Sequence, residues 1–267
     1  MTTAVPQSQI EAATEYEALF VPALFRQWAP LIADAAEIGP GHRVLDVACG
    51  TGVLAREAAA RVGKAGRVTG IDPHAGMLTV ARRLAPTIDW RQATAESLPL
   101  ADSSFDAVVS QFGLMFFIDR DTAIREMLRV VIGGGPCVLA VWGTIANVPA
   151  FADLVALLDR TAGKAAGDAL RAPFVLGDNR ELARLFEEAG AQAVDVATHR
   201  GTARFPSKSA LVEAELRGWL PVMGVNLSER EIGTILAKAE DVLAPYGSSK
   251  GELVFDIPAH VVSARKP

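Results

Sequence analysis

Residues 44–52 read VLDVACGTG, a short apolar run that leads into two glycines separated by one residue. The apolar run predicts a buried strand, and the glycines predict a tight turn that opens a helix. Gly50 and Gly52 carry no Cβ, so the backbone can adopt positive φ there and approach a ligand closely. Asp46 stands near the end of the strand, and we expect its carboxylate beside the crevice where nucleotide-type ligands bind in such sheets. The glycine pattern alone fits a plain tight turn equally well.

Short apolar runs alternate with helical segments on the carboxyl side of this stretch. The predicted strands are 43–48, 67–72, 88–92, 105–111, 136–142, 193–198 (extended as far as 205) and 255–264, and the predicted early helices are 53–62, 75–84 and 122–131. Strands that alternate with helices predict βαβ crossovers. The fold class is therefore α/β, with a doubly wound, mostly parallel, seven-stranded sheet of Rossmann-like type that carries helical cap insertions.

A second carboxylate follows at the end of the second predicted strand, where residues 70–72 read GID. Asp72 lies about 20 residues beyond the glycine turn, where an acidic residue can accept hydrogen bonds from both hydroxyls of a ribose. This spacing fits NAD and S-adenosylmethionine alike, because both contain an adenosine ribose.

Several blocks in chain order resemble the motifs of class I S-adenosylmethionine-dependent methyltransferases. VLDVACGTG resembles their first motif and GIDPHAGML is similar to the second. ATAESLPLADSSFDAVVSQFGLMFF resembles the region from the adenine loop through the fourth strand, and REMLRVVIGGG resembles the helix and turn before the fifth. Residues 10–143 carry the resemblance. The remainder is similar in outline to the small-molecule branch, the ubiquinone/menaquinone-type C-methyltransferases and their natural-product relatives, without a motif that names a substrate.

The resemblance implies a set of residues around bound S-adenosylmethionine: Tyr16, Asp46, Ala48, Cys49, Gly50, Gly52, Asp72, Pro73, Met77, Thr94, Ala95, Glu96, Ser110 and Gln111. By this resemblance, the turn 48–52 holds the methionine part, Asp46 lies near its ammonium group and Asp72 binds the ribose. Thr94 replaces an Asp that many relatives have at the adenine edge, and a hydroxyl offers a weaker contact there. Cys49 has no positioned base beside it and is predicted to pack under the cofactor rather than to act as a nucleophile.

The methyl acceptor is predicted to be a small, apolar or aromatic organic molecule, and the receiving atom (oxygen, nitrogen, carbon or sulfur) stays open. Catalysis would rest mainly on aligning this acceptor with the electrophilic methyl group. Met115 and Phe116 are candidates for acceptor contact. His199, at the end of the sixth strand, is the one candidate general base, and an exposed histidine without a role is the alternative.

Two other functions remain open for this sequence. The first is an NAD-dependent oxidoreductase, since GTGVLA can be stretched to the dinucleotide pattern G-x-G-x-x-A. Asp46 argues against it, because a carboxylate at that place favours a cationic amino-acid tail over a diphosphate. The second is a catalytically silent scaffold that binds S-adenosylmethionine.

Residues 1–267 are interpreted as one methyltransferase domain. Within it we expect an N-terminal helical lid (1–38), a cofactor-binding core (39–143) and helical insertions at 144–178 and 207–250 that build the acceptor pocket.

Composition and charge limit which binding partners and which cellular location we expect for the protein. The net charge is −5 and no run of like charges occurs, which disfavours nucleic acid and anionic membrane surfaces. The two cysteines do not suggest a disulfide framework or a metal site. No stretch resembles a signal peptide or a membrane span. The expectation is a cytoplasmic enzyme with a small-molecule acceptor, no metal and an undecided oligomeric state, for which the resemblance allows a homodimer.

Overall fold

The strands of the computed structural model, which describes residues 5–267, form two sheets. They are β1 (Arg43–Val47), β2 (Arg67–Asp72), β3 (Asp89–Gln92), β4 (Ala107–Gln111), β5 (Pro136–Trp142), β6 (Gln192–His199), β7 (Thr202–Phe205), β8 (Leu253–Asp256) and β9 (Ala259–Arg265). The larger sheet has seven strands in the order β3-β2-β1-β4-β5-β9-β6, and β7 and β8 form a separate antiparallel pair. The predicted fold class is confirmed.

The helices flank and follow these strands in the alternation that the sequence predicts. They are α1 (Gln7–Phe20), α2 (Ala29–Ala35), α3 (Val53–Val62), α4 (Ala75–Leu84), α5 (Arg120–Val130), α6 (Pro149–Thr161), α7 (Lys164–Arg171), α8 (Asn179–Glu188), α9 (Lys208–Ala214), α10 (Leu220–Val222) and α11 (Glu229–Val242). Within residues 5–267, no helix has the length and apolar character to cross a membrane.

The strand order has a switch point between β1 and β4. On one side the chain runs from β1 outward to β2 and β3, and on the other it runs from β4 to β5, with all these pairs parallel. Open α/β sheets bind ligands outside the carboxyl ends of the strands at such a point. The fold therefore directs attention to the ends of β1 and β4.

Two predicted strands are wrong in extent. The predicted strand that reaches residue 205 is split, because β6 belongs to the large sheet and β7 pairs with β8. The predicted strand 255–264 is likewise two strands, β8 and β9, separated by Ile257 and Pro258. Proline has no N–H for a ladder, and here its carbonyl accepts a bond from Gly143 N at 2.9 Å while Ile257 N donates to Gly201 O.

Several helix boundaries agree with the sequence signals. Asp178 caps α8 by accepting from Arg180 N at 2.8 Å, and Ser207 caps α9 by accepting from Ala210 N at 3.0 Å. Between α1 and α2 the chain forms a π-helical turn, Val21–Phe25, which contains Pro22, and then one turn of 3₁₀-helix.

The chain divides into two compact units. Unit 1 comprises Met1–Val141, Asp178–His199 and His260–Pro267, and unit 2 comprises Trp142–Gly177 and Arg200–Ala259. Unit 1 contains the parallel strands and the switch point. Unit 2 contains most of the two predicted insertions, and the interpretation of the whole chain as a single domain stays a prediction, as do the predicted lid and core boundaries.

Unit 2 has an aromatic core of its own. Phe151 packs against Phe174 and Phe255 with ring centroids 5.4 and 5.7 Å apart, and Phe205 stacks on Phe255 at 6.5 Å. Burying several aromatic rings together supplies a large part of the hydrophobic stabilisation of so small a unit.

Candidate functional site

The carboxyl ends of β1 and β4 bring three predicted site residues together at the switch point. Asp46 is the fourth residue of β1 and is 1% exposed, while Ser110 and Gln111 end β4. Residues 46 and 109 are direct partners in the parallel register. Sequence positions more than 60 residues apart thus meet at one edge of the sheet.

The turn after β1 has an unusual backbone. Ala48, Gly50 and Gly52 all have positive φ, at 56°, 55° and 88°. A non-glycine residue in this region costs about 1–3 kcal/mol and is often found at functional sites. The turn is held by Cys49 N, which donates to Ile71 O at 3.0 Å, and by Gly52 N, which donates to Cys49 O at 2.8 Å.

The two glycines of this turn have different surroundings. A Cβ on Gly50 would meet no atom within 4 Å, whereas a Cβ on Gly52 would lie 2.3 Å from the indole of Trp90. Gly70 on β2 makes the same close approach to Trp90, also at 2.3 Å. The sequence predicts glycine at position 52 because a ligand approaches the backbone there. The structure adds a second reason, because the indole of Trp90 leaves no room for a Cβ. Sequence reasoning missed Trp90.

Asp72, the last residue of β2, points at the turn. Its Oδ2 accepts from Gly50 N at 2.9 Å and its Oδ1 accepts from His74 N at 2.8 Å, and it is 5% exposed. The exposed ring of His74 lies 3.2 Å from the same Oδ1, and this hydrogen bond raises the pKa of His74. The Asp72 carboxylate thus holds the turn from the side of β2. The resemblance implies that the ribose binds at this place.

Asp46 is a buried carboxyl group without a hydrogen bond. Neither oxygen has a partner within the described residues 5–267. Burial raises the pKa of Asp46 to about 8; the N–H of Ala55, outside hydrogen-bond geometry, lowers it, the charge of Asp72 raises it, and Arg56 lowers it. A cationic group beside Asp46 would supply the missing partner and favour the ionised form.

Other buried oxygens also lack partners among the described residues. They lie on α1, on the turn after β1 and at the end of β4: Glu17 Oε2, Thr51 Oγ1, Ser110 Oγ and Gln111 Oε1. Buried polar groups normally have a hydrogen-bond partner, so each exception requires an explanation. Their concentration at one end of two neighbouring strands indicates a polar ligand.

Helix α1 contributes Tyr16 and Glu17 to the same region. The ring of Tyr16 stacks on Phe25 with centroids 5.4 Å apart. Burial raises the pKa of Tyr16, and the charges of Asp72, Glu17 and Asp46 raise it further. The fold thus brings the predicted lid residue Tyr16 within electrostatic range of both predicted cofactor carboxylates.

An ion pair connects α1 with the helix that follows the turn. Arg56 on α3 contacts Glu17 at 2.8 Å and also donates to Thr51 O at 2.6 Å. Gln111 Nε2 donates to Phe25 O at 3.1 Å, which connects β4 with the π-helical turn. Sequence reasoning missed Glu17, Thr51 and Arg56, although a Thr between the two glycines and a Glu directly after Tyr16 were visible signals.

Several residues that are predicted to lie near the adenine are exposed to solvent. Thr94 is exposed, Ala95 is 5% exposed, and Glu96 accepts from Ile118 N at 3.0 Å, so this carboxylate fixes the loop. Pro73 is exposed and its carbonyl accepts from Gln92 Nε2 at 2.9 Å, while Met77 is half-buried on α4. Contact of these residues with a cofactor stays a prediction.

The remaining candidates lie in varied surroundings. Met115 is 4% exposed and Phe116 is 43% exposed, and His199 is the half-buried last residue of β6. Burial raises the pKa of the Cys49 thiol, with Asp46 adding to the effect. The protonated thiol agrees with a packing role and not with a nucleophile. The acceptor contacts and the base role of His199 stay predictions.

Part of the chain is similar in sequence to known methyltransferases. Residues 45–139 match the family model of a methyltransferase domain. The chain is 44% identical over 116 residues to the ubiquinone/menaquinone biosynthesis C-methyltransferase UbiE of Xanthomonas oryzae, covering 41% of this chain and 46% of that protein. It is 38% identical over 115 residues to the 2-phytyl-1,4-naphtoquinone methyltransferase of Thermosynechococcus vestitus, covering 42% and 51%. The chain thus spans about half the length of the curated relatives it matches.

Solved structures share the fold. A putative methyltransferase from an antibiotic biosynthesis pathway of Anabaena variabilis superposes with a TM-score of 0.64 at 17% identity, covering 88% of this chain and 96% of that one. The YcgJ protein of Bacillus subtilis gives a TM-score of 0.60 at 21% identity, covering 90% and 98%. At these identities the solved structures show the fold alone. The family model and the curated relatives confirm the predicted resemblance to class I S-adenosylmethionine methyltransferases of the small-molecule branch.

Proposed function

We propose that this chain, whose residues 45–139 match a methyltransferase domain, transfers the methyl group of S-adenosylmethionine to a small aromatic acceptor that carries a hydroxyl group. One observation carries the proposal: buried oxygens without partners lie on Asp46 in β1, on Thr51 in the turn that follows and on Ser110 and Gln111 at the end of β4, the two strands that flank the switch point. The names of the relatives, which act in quinone biosynthesis or on a naphtoquinone, favour a ring of that kind as acceptor.

The residues fit this cofactor. Asp46 is suited to its ammonium group, because the carboxyl is buried and lacks a partner. Asp72 is suited to the ribose, because its carboxylate is held at the turn by Gly50 N. The backbone groups of the turn 48–52 are suited to the methionine part, as are the side chains of Ser110 and Gln111 at the end of β4. When bound, the cofactor supplies an electrophilic methyl group on a sulfonium.

The protein's own contribution is then to bind, orient and exclude water. Tyr16 and Phe25 form an aromatic stack at the α1 side of the site, and Arg56 holds α1 to the turn through Glu17. Holding two reactants in the correct geometry can lower a barrier by about 7–11 kcal/mol in favourable systems. The predicted insertions 144–178 and 207–250 remain the segments proposed to bind the acceptor. A homodimer, a cytoplasmic location and the absence of nucleic-acid partners remain predictions.

Titration calorimetry and product analysis test the proposal. Purified protein should bind S-adenosylmethionine and S-adenosylhomocysteine but not NAD, and should produce S-adenosylhomocysteine with at least one member of a panel of reduced naphthoquinones, phenols, amines and thiols. Asp46→Asn should weaken binding, whereas Asp102→Asn, an exposed aspartate at 75% side-chain exposure, should not. Binding of NAD alone would overturn the proposal in favour of an oxidoreductase, and cofactor binding without turnover on the whole panel would favour the silent scaffold.

A further inference from the structure

The buried carboxyl group of Asp46 lies near a cation with which it does not pair. The N–H of Ala55 approaches this carboxyl, and Arg56 follows directly in the chain, where its charge lowers the pKa of Asp46. Neither oxygen of Asp46 has a hydrogen-bond partner within the described residues 5–267. A guanidinium and a carboxylate form strong, often bidentate hydrogen bonds, and such bonds would satisfy the buried oxygens. Something therefore holds Arg56 away from Asp46.

Two other acceptors hold the guanidinium of Arg56. Its Nη2 donates to Glu17 Oε1 on α1 at 2.8 Å, and its Nη1 donates to the carbonyl of Thr51 in the turn at 2.6 Å. The side chains of Arg56 and Glu17 are 26% and 17% exposed, so water screens their attraction only in part. The charge of Arg56 is thus matched by Glu17, while Asp46 is left for another cation.

Among the residues that the structure describes, no second cation contributes to the pKa of Asp46. Besides Arg56, the charge that acts on this carboxyl is that of Asp72 on β2, which repels it. Tyr16 on α1 and Cys49 in the turn lie close enough to be influenced by the charge of Asp46, and both stay protonated because burial raises their pKa. Arg56 is therefore the cation that can compete with a ligand for Asp46.

We propose that Glu17 is a positioning residue, which keeps Arg56 away from Asp46 and so reserves that carboxyl group for the ammonium group of the cofactor. This role, which rests on the proposed function, adds a determinant of cofactor binding on helix α1. A guanidinium bound to Asp46 would occupy the oxygens that the ammonium group needs. The apparent affinity of a ligand falls in proportion to the fraction of molecules whose site is free to bind it.

Two simpler roles of Glu17 predict different results. In the first, Glu17 contacts the cofactor directly through Oε2, which is buried and has no partner within residues 5–267. In the second, the ion pair with Arg56 only tethers α1 to the turn. Direct contact makes the loss in a Glu17 variant independent of Arg56, and a tether makes the variants of both residues equally weak. Reservation of Asp46 instead predicts that removal of Arg56 rescues a Glu17 variant.

Calorimetry with S-adenosylhomocysteine, which carries the ammonium group, distinguishes the three roles. Glu17→Gln keeps the shape of the side chain, but a neutral oxygen holds a guanidinium about half as strongly as a carboxylate does. This variant should bind about 10-fold more weakly, as expected if about nine-tenths of the molecules pair Arg56 with Asp46. Arg56→Met should lose much less affinity, and the double variant should regain most of what Glu17→Gln loses. Glu15→Gln, exposed on the same helix, is the matched control and should bind as the wild type does.

The pH dependence of stability without ligand gives a second readout. The folded pKa of Asp46, raised to about 8, makes the wild type lose stability as pH rises from about 4, the unfolded value. Pairing with Arg56 in Glu17→Gln lowers this folded pKa. The variant should therefore gain stability relative to the wild type between those limits, and the double variant should return to the wild-type slope. Urea unfolding across this pH range measures both differences.

Three results would overturn this role of Glu17. They are wild-type affinity and slope in Glu17→Gln, a double variant that binds as weakly as Glu17→Gln, and equal losses in Glu17→Gln and Arg56→Met. Failure of the wild type to bind S-adenosylhomocysteine would overturn the proposed function instead. In that case the slopes of the ligand-free variants still decide whether Glu17 holds Arg56 away from Asp46.

Discussion

Asp46 in unit 1 and Glu215 in unit 2 are both buried carboxyl groups whose pKa is raised to about 8, yet they stand in opposite settings. Asp46 lies among other polar groups that also lack partners, close enough to Asp72 and Arg56 to be influenced by their charges. Glu215 is influenced by burial alone. A polar setting with several unsatisfied groups suits a ligand with many polar atoms, such as a nucleoside amino acid. Among the residues that the structure describes, the Glu215 carboxyl has no neighbouring charge that contributes to its pKa.

The largest expected difference between wild type and a variant that lacks either carboxyl is in the pH dependence of stability. A carboxyl whose folded pKa is raised stabilises the fold fully below its unfolded pKa near 4 and loses this contribution as pH rises through about 8. Each group therefore lowers the free energy of unfolding by up to about 1.4 kcal/mol per pH unit between those limits. Asp46→Asn and Glu215→Gln should each gain stability relative to wild type as pH increases, measured by urea unfolding from acid to mildly alkaline pH.

Added S-adenosylhomocysteine should separate the two groups. The ammonium group of this ligand should suppress the pH-dependent difference for Asp46→Asn and leave that for Glu215→Gln in place. If the ligand suppresses both differences or neither, its ammonium group does not bind at Asp46 as proposed.

Affinity for the cofactor should depend on Asp46 and should not depend on Glu215. A charge-assisted hydrogen bond contributes about 1.5–3 kcal/mol, so Asp46→Asn should weaken the binding of S-adenosylmethionine about 10- to 100-fold. Glu215→Gln should change it less than about two-fold, since no contact of this residue with the cofactor is proposed. Calorimetry at fixed pH measures both, and equal losses in the two variants would contradict the comparison.

The smallest expected effect concerns the open edge of the cofactor site. Thr94 is exposed and stands where many relatives have an Asp. Thr94→Asp should strengthen the binding of S-adenosylmethionine a few-fold, about 0.5–1.5 kcal/mol for one added hydrogen bond to the adenine amino group. Thr94→Asn, of the same size without the charge, is the control. A loss of affinity in the Asp variant would place the adenine elsewhere.

The cofactor half of the molecule was largely predictable from sequence. The positions of Asp46 and Asp72 follow from strand periodicity, because parallel strands end at the same edge of a sheet. The glycine turn follows from residue type, and the structure confirms positive φ at Gly50 and Gly52. Contacts across the sheet were not predictable, since the packing of Trp90 on Gly52 depends on register and side-chain direction.

Unit 2 was poorly predictable for a physical reason. Glu215 falls in a helical segment with a mixture of charged and apolar residues, where a glutamate normally faces solvent. The π-helical turn that begins at this residue shifts the helical phase, so heptad counting assigns the wrong face. Similarly, the strand boundary at Pro258 looked like one continuous apolar run until hydrogen-bond partners separated β8 from β9.

The indole of Trp90 has one further consequence. It covers Gly52 and Gly70 from one side, and its N–H is fixed by Ala85 O at 2.9 Å, so its ring is held against the backbone of the cofactor turn. Any ligand that reorders this turn alters the polarity around a fluorophore that the protein already carries. The chain has four tryptophans, so the emission that Trp90→Phe removes is the part expected to follow occupancy of the turn, without a label and without knowledge of the acceptor.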